Sequence, residues 1–186
     1  YKNPDDDSRF CQFVTRLVFH RNSRVVRIFH TWIFTGDGNS DQIKDMGWRF
    51  RVADSVTPGG FLTSFNTPNW AKGKHLVQFD YQHYRLAGSD GDNAGRTPGV
   101  ANARIGNSRL LLGAKDFWQN FPSELEISDR NITFYNWPRH NPPARFERPV
   151  TPAKAFLHRF AHEGDLLDFR LPEEYAEDPI WQRMSG

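Results

Sequence analysis

"ELEISDRNITFYNW", Glu124 to Trp137, decides the fold class. Leu125, Ile127, Ile132 and Phe134 alternate with polar residues on either side of "DR" at positions 129 and 130. Alternation of period two marks half-buried strands, and a two-residue polar break between them marks a hairpin. The four apolar side chains then share one face, and that face needs a second layer to cover it.

The same signal recurs upstream. Phe13, Thr15, Leu17 and Phe19 alternate with Val14, Arg16, Val18 and His20. "RNS" at 21–23 is a turn, and Arg24 to Phe34 is a second strand. This second strand is apolar on both faces, with Val26, Ile28 and Trp32 against Val25, Phe29 and Ile33. A strand covered on both sides belongs in the middle of a sandwich or under another domain.

Gly47 to Ala53 reads as a third strand, after the loop "TGDGNSDQ". "DSVTPGG" and "NTPNWAKGK" read as turns. His75 to Leu86 reads as one alternating strand, and Ala87 to Gly99 as an exposed Gly-rich insertion. Arg109 to Gly113 is short and apolar. Lys115 to Phe121 predicts a helical turn that Pro122 stops. Beyond the hairpin, "PRHNPPARFERPVTP" is extended, "AKAFLHRFAHEG" is a short helix or strand, and "DLLDFRLP" is a strand. "EEYAEDPIWQRMSG" reads as the start of a helical segment. Many short strands separated by turns predict an all-β, antiparallel β-sandwich with a short irregular or helical C-terminal segment. The expected divisions are a lead-in at 1–9, the sandwich at 10–150, and a strand and linker at 151–186.

Composition narrows the function classes. Of 186 residues 38% are hydrophobic, but 16 are Phe and 6 are Trp, so large side chains can fill a core. The 24 basic and 22 acidic residues are interleaved, with no basic stripe to suit nucleic acid. No apolar run is long enough to span a membrane as a helix. A single Cys11 excludes an intrachain disulfide and a cysteine-rich metal module, and fits a core position. It is compatible with a secreted or a cytoplasmic protein alike.

The metal motifs fail on ligand positions. Asp37, Asn39 and Asp41 have calcium-loop spacing, but the sixth and twelfth positions hold Gln42 and Trp48 instead of Gly and Glu. The loop reads as a solvated turn. His158 and His162 are spaced as a zinc pair on a helix, yet Arg159 stands where a zincin has Glu. No nucleophile elbow, phosphate loop or dinucleotide fingerprint occurs. No cofactor and no metal are therefore expected. "FWQNF" and "YNWPRHN" set aromatic rings beside amides, Arg and His, a mixture suited to sugar rings with their apolar C–H faces and hydroxyl rims. His30, between Phe29 and Trp32, reads as a neutral core histidine or as a functional one.

Two segments carry a resemblance. "VRIFHTWIFTGDGNSDQIKDMG" from Val26 resembles the V-R-x-x-H-T-[FW]-x-[FY]-x-G-D-x-x-x-D-x-I-x-x-[ML]-G segment of YetA-like exo-rhamnogalacturonan lyases, polysaccharide lyase family 26. "DFWQNFPSELEISDRNITFYNWP" is similar to that family's W-Q-x-[FY]-P-x-x-[IL]-E and a strand ending in W-P. "HEGDLLDFRLPEEY" resembles the run into the family's next domain, so the likeness spans roughly 10–175. It implies the central β-sandwich of a protein with an N-terminal β domain and a C-terminal α/α toroid as neighbours. It further implies an acidic pectic polysaccharide as partner and β-elimination as chemistry, with the isolated segment inactive. The residues carried over toward substrate are His30, Trp118, Gln119 and Trp137; the motif supplies no catalytic base. Two alternatives stand beside this one: a non-catalytic carbohydrate-binding or structural sandwich, and a metal hydrolase built on His158 and His162.

Overall fold

The structure is a computed structural model in which residues 11–35, 45–89 and 91–140 are described. Among these residues the chain is all-β, and every strand pairing is antiparallel. It divides into two compact units, residues 1–41 and 42–186.

The first unit holds one hairpin, β1 (Cys11–Phe19) and β2 (Val26–Phe34), paired from Cys11 opposite Phe34 to Phe19 opposite Val26. Its connection turns at Asn22, which takes a left-handed φ of 65°, and Ser23 N–H donates to His20 O. Asn tolerates that conformation better than most residues. Cys11 is buried, as its strand-start position suggested. The expectation of a place in the middle of a sandwich is corrected, because among the described residues β2 pairs only with β1 and Phe29 and Ile33 are exposed. Phe13, Leu17 and Phe19 are also exposed, the last at 69%. A lone hairpin is at best marginally stable in water, so a surface of this kind calls for cover.

The second unit is two sheets. One runs in the order β10 (Ser108–Gly113), β9 (Val100–Ile105), β4 (Val56–Leu62), β5 (Trp70–Ala71). The other runs β3 (Met46–Arg51), β12 (Asn131–Trp137), β11 (Ser123–Ser128), β6 (His75–Gln78), β7 (His83–Leu86), β8 (Asp92–Ala94). The opening hairpin is β11 and β12, joined at Asp129 and Arg130. Leu125, Ile127, Ile132 and Phe134 do share a face. They pack with Leu76, Phe61, Val56, Ala101, Ala103 and Phe117 into one core. Each fully buried large side chain there contributes roughly 1.5–3 kcal/mol. The hairpin turn also ties the layers: its carbonyls at Arg130 and Asp129 accept from Val52 N–H and Val56 N–H, at the two ends of the β3–β4 link.

Three readings are corrected. "DSVTPGG", expected as a turn, enters strand β4. Pro58 lacks an N–H, but β5 pairs β4 only at Phe61 and Leu62, and the β9 register shifts between Pro58 and Gly60. A proline at an unpaired edge beside a bulge costs the ladder little. His75 to Leu86 is two strands rather than one. Asp80 Oδ1 accepts the N–H groups of Gln82 and His83 at 2.6 and 2.7 Å and folds the chain back. The buried Gln78 amide secures the turn, its Nε2 donating to the carbonyls of Asp80, His83 and Gly95. Its Oε1 accepts from Thr97 N and Oγ1, both at 2.9 Å. That pulls the supposed insertion into the fold, where Asp92–Ala94 is strand β8 and Thr97 and Gly99 are buried. Lys115 to Asn120 forms turns closed by Asn120 N–H to Asp116 O, as expected of a helical turn. The C-terminal helical and strand segments, the Asp37 loop and the His158–His162 pair lie outside the described residues.

Gly99 has φ of +70°, and a Cβ there would stand 2.2 Å from Phe117 Cβ; Gly106, at φ +56°, has open space around it. Gly99→Ala is expected to cost about 2–5 kcal/mol, from backbone strain plus overpacking, and Gly106→Ala about 1–2 kcal/mol from strain alone. Urea unfolding of the two variants checks the difference, and equal losses would count against the packing at Gly99.

Candidate functional site

Alternation on β11 sends Leu125 and Ile127 to the core and Glu124 and Glu126 to the other face. There the register sets Glu124 between Tyr135 and Val77, and Glu126 between Thr133 and His75. Arg49 lies next to Thr133 on β3, and Arg85 beside Val77 on β7. Arg85 Nε donates to Asp92 Oδ1 at 2.7 Å, which extends this polar face to the sheet edge.

Glu124 is wholly buried, at 0% exposure. A buried carboxylate is costly unless its oxygens are hydrogen-bonded. The chain past β12 supplies the partners. Arg139 N–H and His140 N–H donate to Oε2 at 2.8 and 2.9 Å, and His140 Nδ1 lies 2.6 Å from Oε1. A bulge makes this possible. Tyr135 pairs with Gly47 and Trp137 with Met46, so β12 takes two steps for one on β3. Bulges bend the strand and redirect the chain beyond them. Tyr135 itself crosses Gly47, where a Cβ would come within 2.6 Å of the tyrosine ring. Its hydroxyl donates to Glu126 Oε2 at 2.8 Å.

The rings of His75 and His140 stack at 4.2 Å, 2° from parallel. Their environments push them apart. The hydrogen bond to Glu124 raises the His140 pKa above its ordinary 6.5, whereas burial, first, and then the neighbouring His140 and Arg85 lower that of His75, against the pull of Glu124 and Glu126. Burial and the Glu126 contact raise the Tyr135 pKa, partly offset by Arg49 and Arg139. The opposed directions favour a proton on His140 over one on His75, an arrangement suited to acid–base work. Donor atoms of His75, Glu124 and His140 also lie within 4.8 Å of one another, near enough to share an ion.

A second feature of this unit is an open cleft of about 580 Å³ between the β4–β5 and β7–β8 regions, lined by Phe65, Asn66, Gln82, His83 and Arg96 among others. Arg96 lies 4.2 Å above the centroid of Trp118, and its Nε donates to Tyr81 O at 3.0 Å. Such stacking holds a guanidinium in place while leaving its plane edge-on to a ligand.

The residues expected from sequence fall in different places. Trp118 is half-buried beneath Arg96 and is not among the residues lining the cleft, with Gln119 exposed next to it. Trp137 is 1% exposed, and pairing with Met46 puts it on the face opposite Tyr135, so its ring presents no open surface. His30 belongs to the first unit. It is exposed, with Nδ1 2.8 Å from Thr15 Oγ1 and its ring 5.7 Å from that of Phe13, and partial desolvation lowers its pKa. Exposure corrects the interior reading of this histidine. The sequence signal for the His75–Glu124–His140 group was faint: two glutamates at alternate positions of an otherwise apolar strand.

Residues 1–57 match the family model of the PcRGLX-like protein central beta sandwich domain. This supports a rhamnogalacturonan lyase-like central β-sandwich. The matched stretch contains the first of the two motif segments and ends at the start of β4, ahead of the polar cluster and the cleft. No curated protein and no solved structure matches the chain.

The opposed shifts predict a titration. In chelator-treated protein, the His140 ring proton signals are expected to titrate above 6.5 and those of His75 below it, read by NMR. His140, with its pKa raised on folding, stabilises fully below about 6.5 and loses that contribution as pH rises through its folded value. His75, with its pKa lowered, penalises the fold as pH falls from about 6.5 toward its folded value. The pair's contribution thus peaks near 6.5, and titration of both rings on the same side would contradict the arrangement.

Proposed function

We propose that this chain acts as the central sandwich of a YetA-like lyase of polysaccharide lyase family 26, which cleaves rhamnogalacturonan-type acidic glycan by β-elimination. The observation that carries the proposal is the family match over residues 1–57. In that chemistry a base removes the C5 proton of a uronate and the bond to the 4-oxygen breaks. The C5 proton becomes acidic only when the neighbouring carboxylate is neutralised, and the leaving oxygen needs a proton. The cleft has the parts for the uronate itself: Arg96, held over Trp118, as a cation for its carboxylate, and Phe65 as an aromatic wall for its ring. Gln119, exposed beside Trp118, suits its hydroxyls.

The neighbouring domains of the same protein complete the proposal. The exposed apolar faces of β1 and β2 suit cover by an adjoining β domain. A toroid supplies the other wall of a catalytic cleft, so this segment alone binds glycan without cleaving it. The second reading, a non-catalytic carbohydrate-binding sandwich, uses the same cleft and differs only in outcome.

Two measurements test this. The full-length protein incubated with rhamnogalacturonan should develop the ultraviolet absorbance of an unsaturated uronate; binding without new absorbance would favour the non-catalytic reading. Arg96→Ala, which removes a charged hydrogen-bonding partner, should weaken binding of a rhamnogalacturonan oligosaccharide roughly ten- to hundredfold by calorimetry. Unchanged affinity would remove the cleft from the proposal.

A further inference from the structure

We propose that His75, Glu124 and His140 form a binding site for a divalent transition metal, zinc foremost, with solvent as the fourth ligand. The three side chains come from different elements: β6, β11 and the segment just past the β12 bulge. Their donor atoms lie within 4.8 Å of one another. Zinc bonds of about 2.0–2.2 Å put tetrahedral ligand atoms roughly 3.4 Å apart. The His140 Nδ1 to Glu124 Oε1 separation of 2.6 Å must therefore open by under about 1 Å, and no separation need close by more than about 1.4 Å. Tilting the two imidazoles out of their stack supplies both movements.

The carboxylate is already arranged for ligation. Arg139 N–H and His140 N–H occupy Oε2, which fixes the plane of the group and leaves Oε1 toward the histidines. Hydrogen bonds of this kind behind a ligand orient it and strengthen its hold on a metal. Two imidazoles and one carboxylate favour zinc and its neighbours over calcium or magnesium, which prefer all-oxygen shells. The set is the one that holds zinc with an open position, and both imidazoles are partly solvent-accessible, so water reaches that position. Glu126, one residue pair away on the same face, adds negative charge near the ion. Binding displaces the proton shared by His140 and Glu124, releasing it to solvent, and clamps residues 138–140 onto β6 and β11.

This inference is independent of the glycan reading, and its test needs no catalytic activity. Chain stripped with chelator and dialysed against zinc should retain one ion by elemental analysis, and its unfolding midpoint should rise relative to the stripped form. His75→Ala and His140→Ala should each weaken zinc binding at least tenfold in a competition titration, with far-UV circular dichroism unchanged. Should either variant lose its fold, cobalt replaces zinc in the wild-type chain, where four-coordinate nitrogen–oxygen ligation gives intense visible absorption and octahedral solvent-like ligation does not. The double variant His158→Ala/His162→Ala should bind as the wild type does. Absence of stoichiometric zinc, an octahedral cobalt spectrum, or loss of binding in that double variant with retention in His75→Ala would each overturn the proposal.

Discussion

A carboxylate buried in the middle of a six-stranded sheet constrains much of its surroundings. Glu124 sits on β11, an interior strand of that sheet, with no exposure to water. Left unpartnered it would cost several kcal/mol, so folding must bring donors to it. Among the described residues the run leaving β12 supplies them, and it arrives by way of the bulge before Trp137. One electrostatic requirement thus sets where the backbone goes after β12. It also places His140 against His75 and orients Arg139 toward Tyr135.

The two faces of β11 divide the labour. The inner face, Leu125 and Ile127, meets Phe61, Ala101 and Ala103 of the opposite sheet and carries the apolar burial that holds the layers together. The outer face trades apolar area for titratable groups whose pKa values diverge. Gln78 plays a comparable part on the adjacent strand, opposite Ser123 and one register step from Glu124, where one buried amide satisfies a turn and draws Thr97 into the interior. Buried polar groups with complete partner sets add uniqueness to a core that apolar packing alone would leave slack.

Legibility in the sequence tracked the range of the interaction. The hairpins β1–β2 and β11–β12 were readable because alternation and a short turn are local signals, with partners a few residues apart. Strands β6 and β7 merged into one because "FDYQ" holds neither Gly nor Pro. Its turn depends on what the Asp80 and Gln78 side chains bond to. Strand β4 was hidden by Pro58 and two glycines, which read as a turn until the missing neighbour on that edge is known. Trp118 could be singled out by its polar surroundings, but the Arg96 above it comes from 22 positions away in the chain.

By itself the sequence determined the class of the protein: antiparallel strands, an aromatic-rich core, and a motif run from Val26 that places the N-terminal third with rhamnogalacturonan lyase-like sandwiches. These come from side-chain periodicity and from residue order, which survive in one dimension. Tertiary structure alone decided which polar residues meet. His75, Glu124 and His140 span 65 positions, and no local pattern links them. They converge because register is fixed by the apolar face, a buried charge must find donors, and a single bulge turns the chain to deliver them.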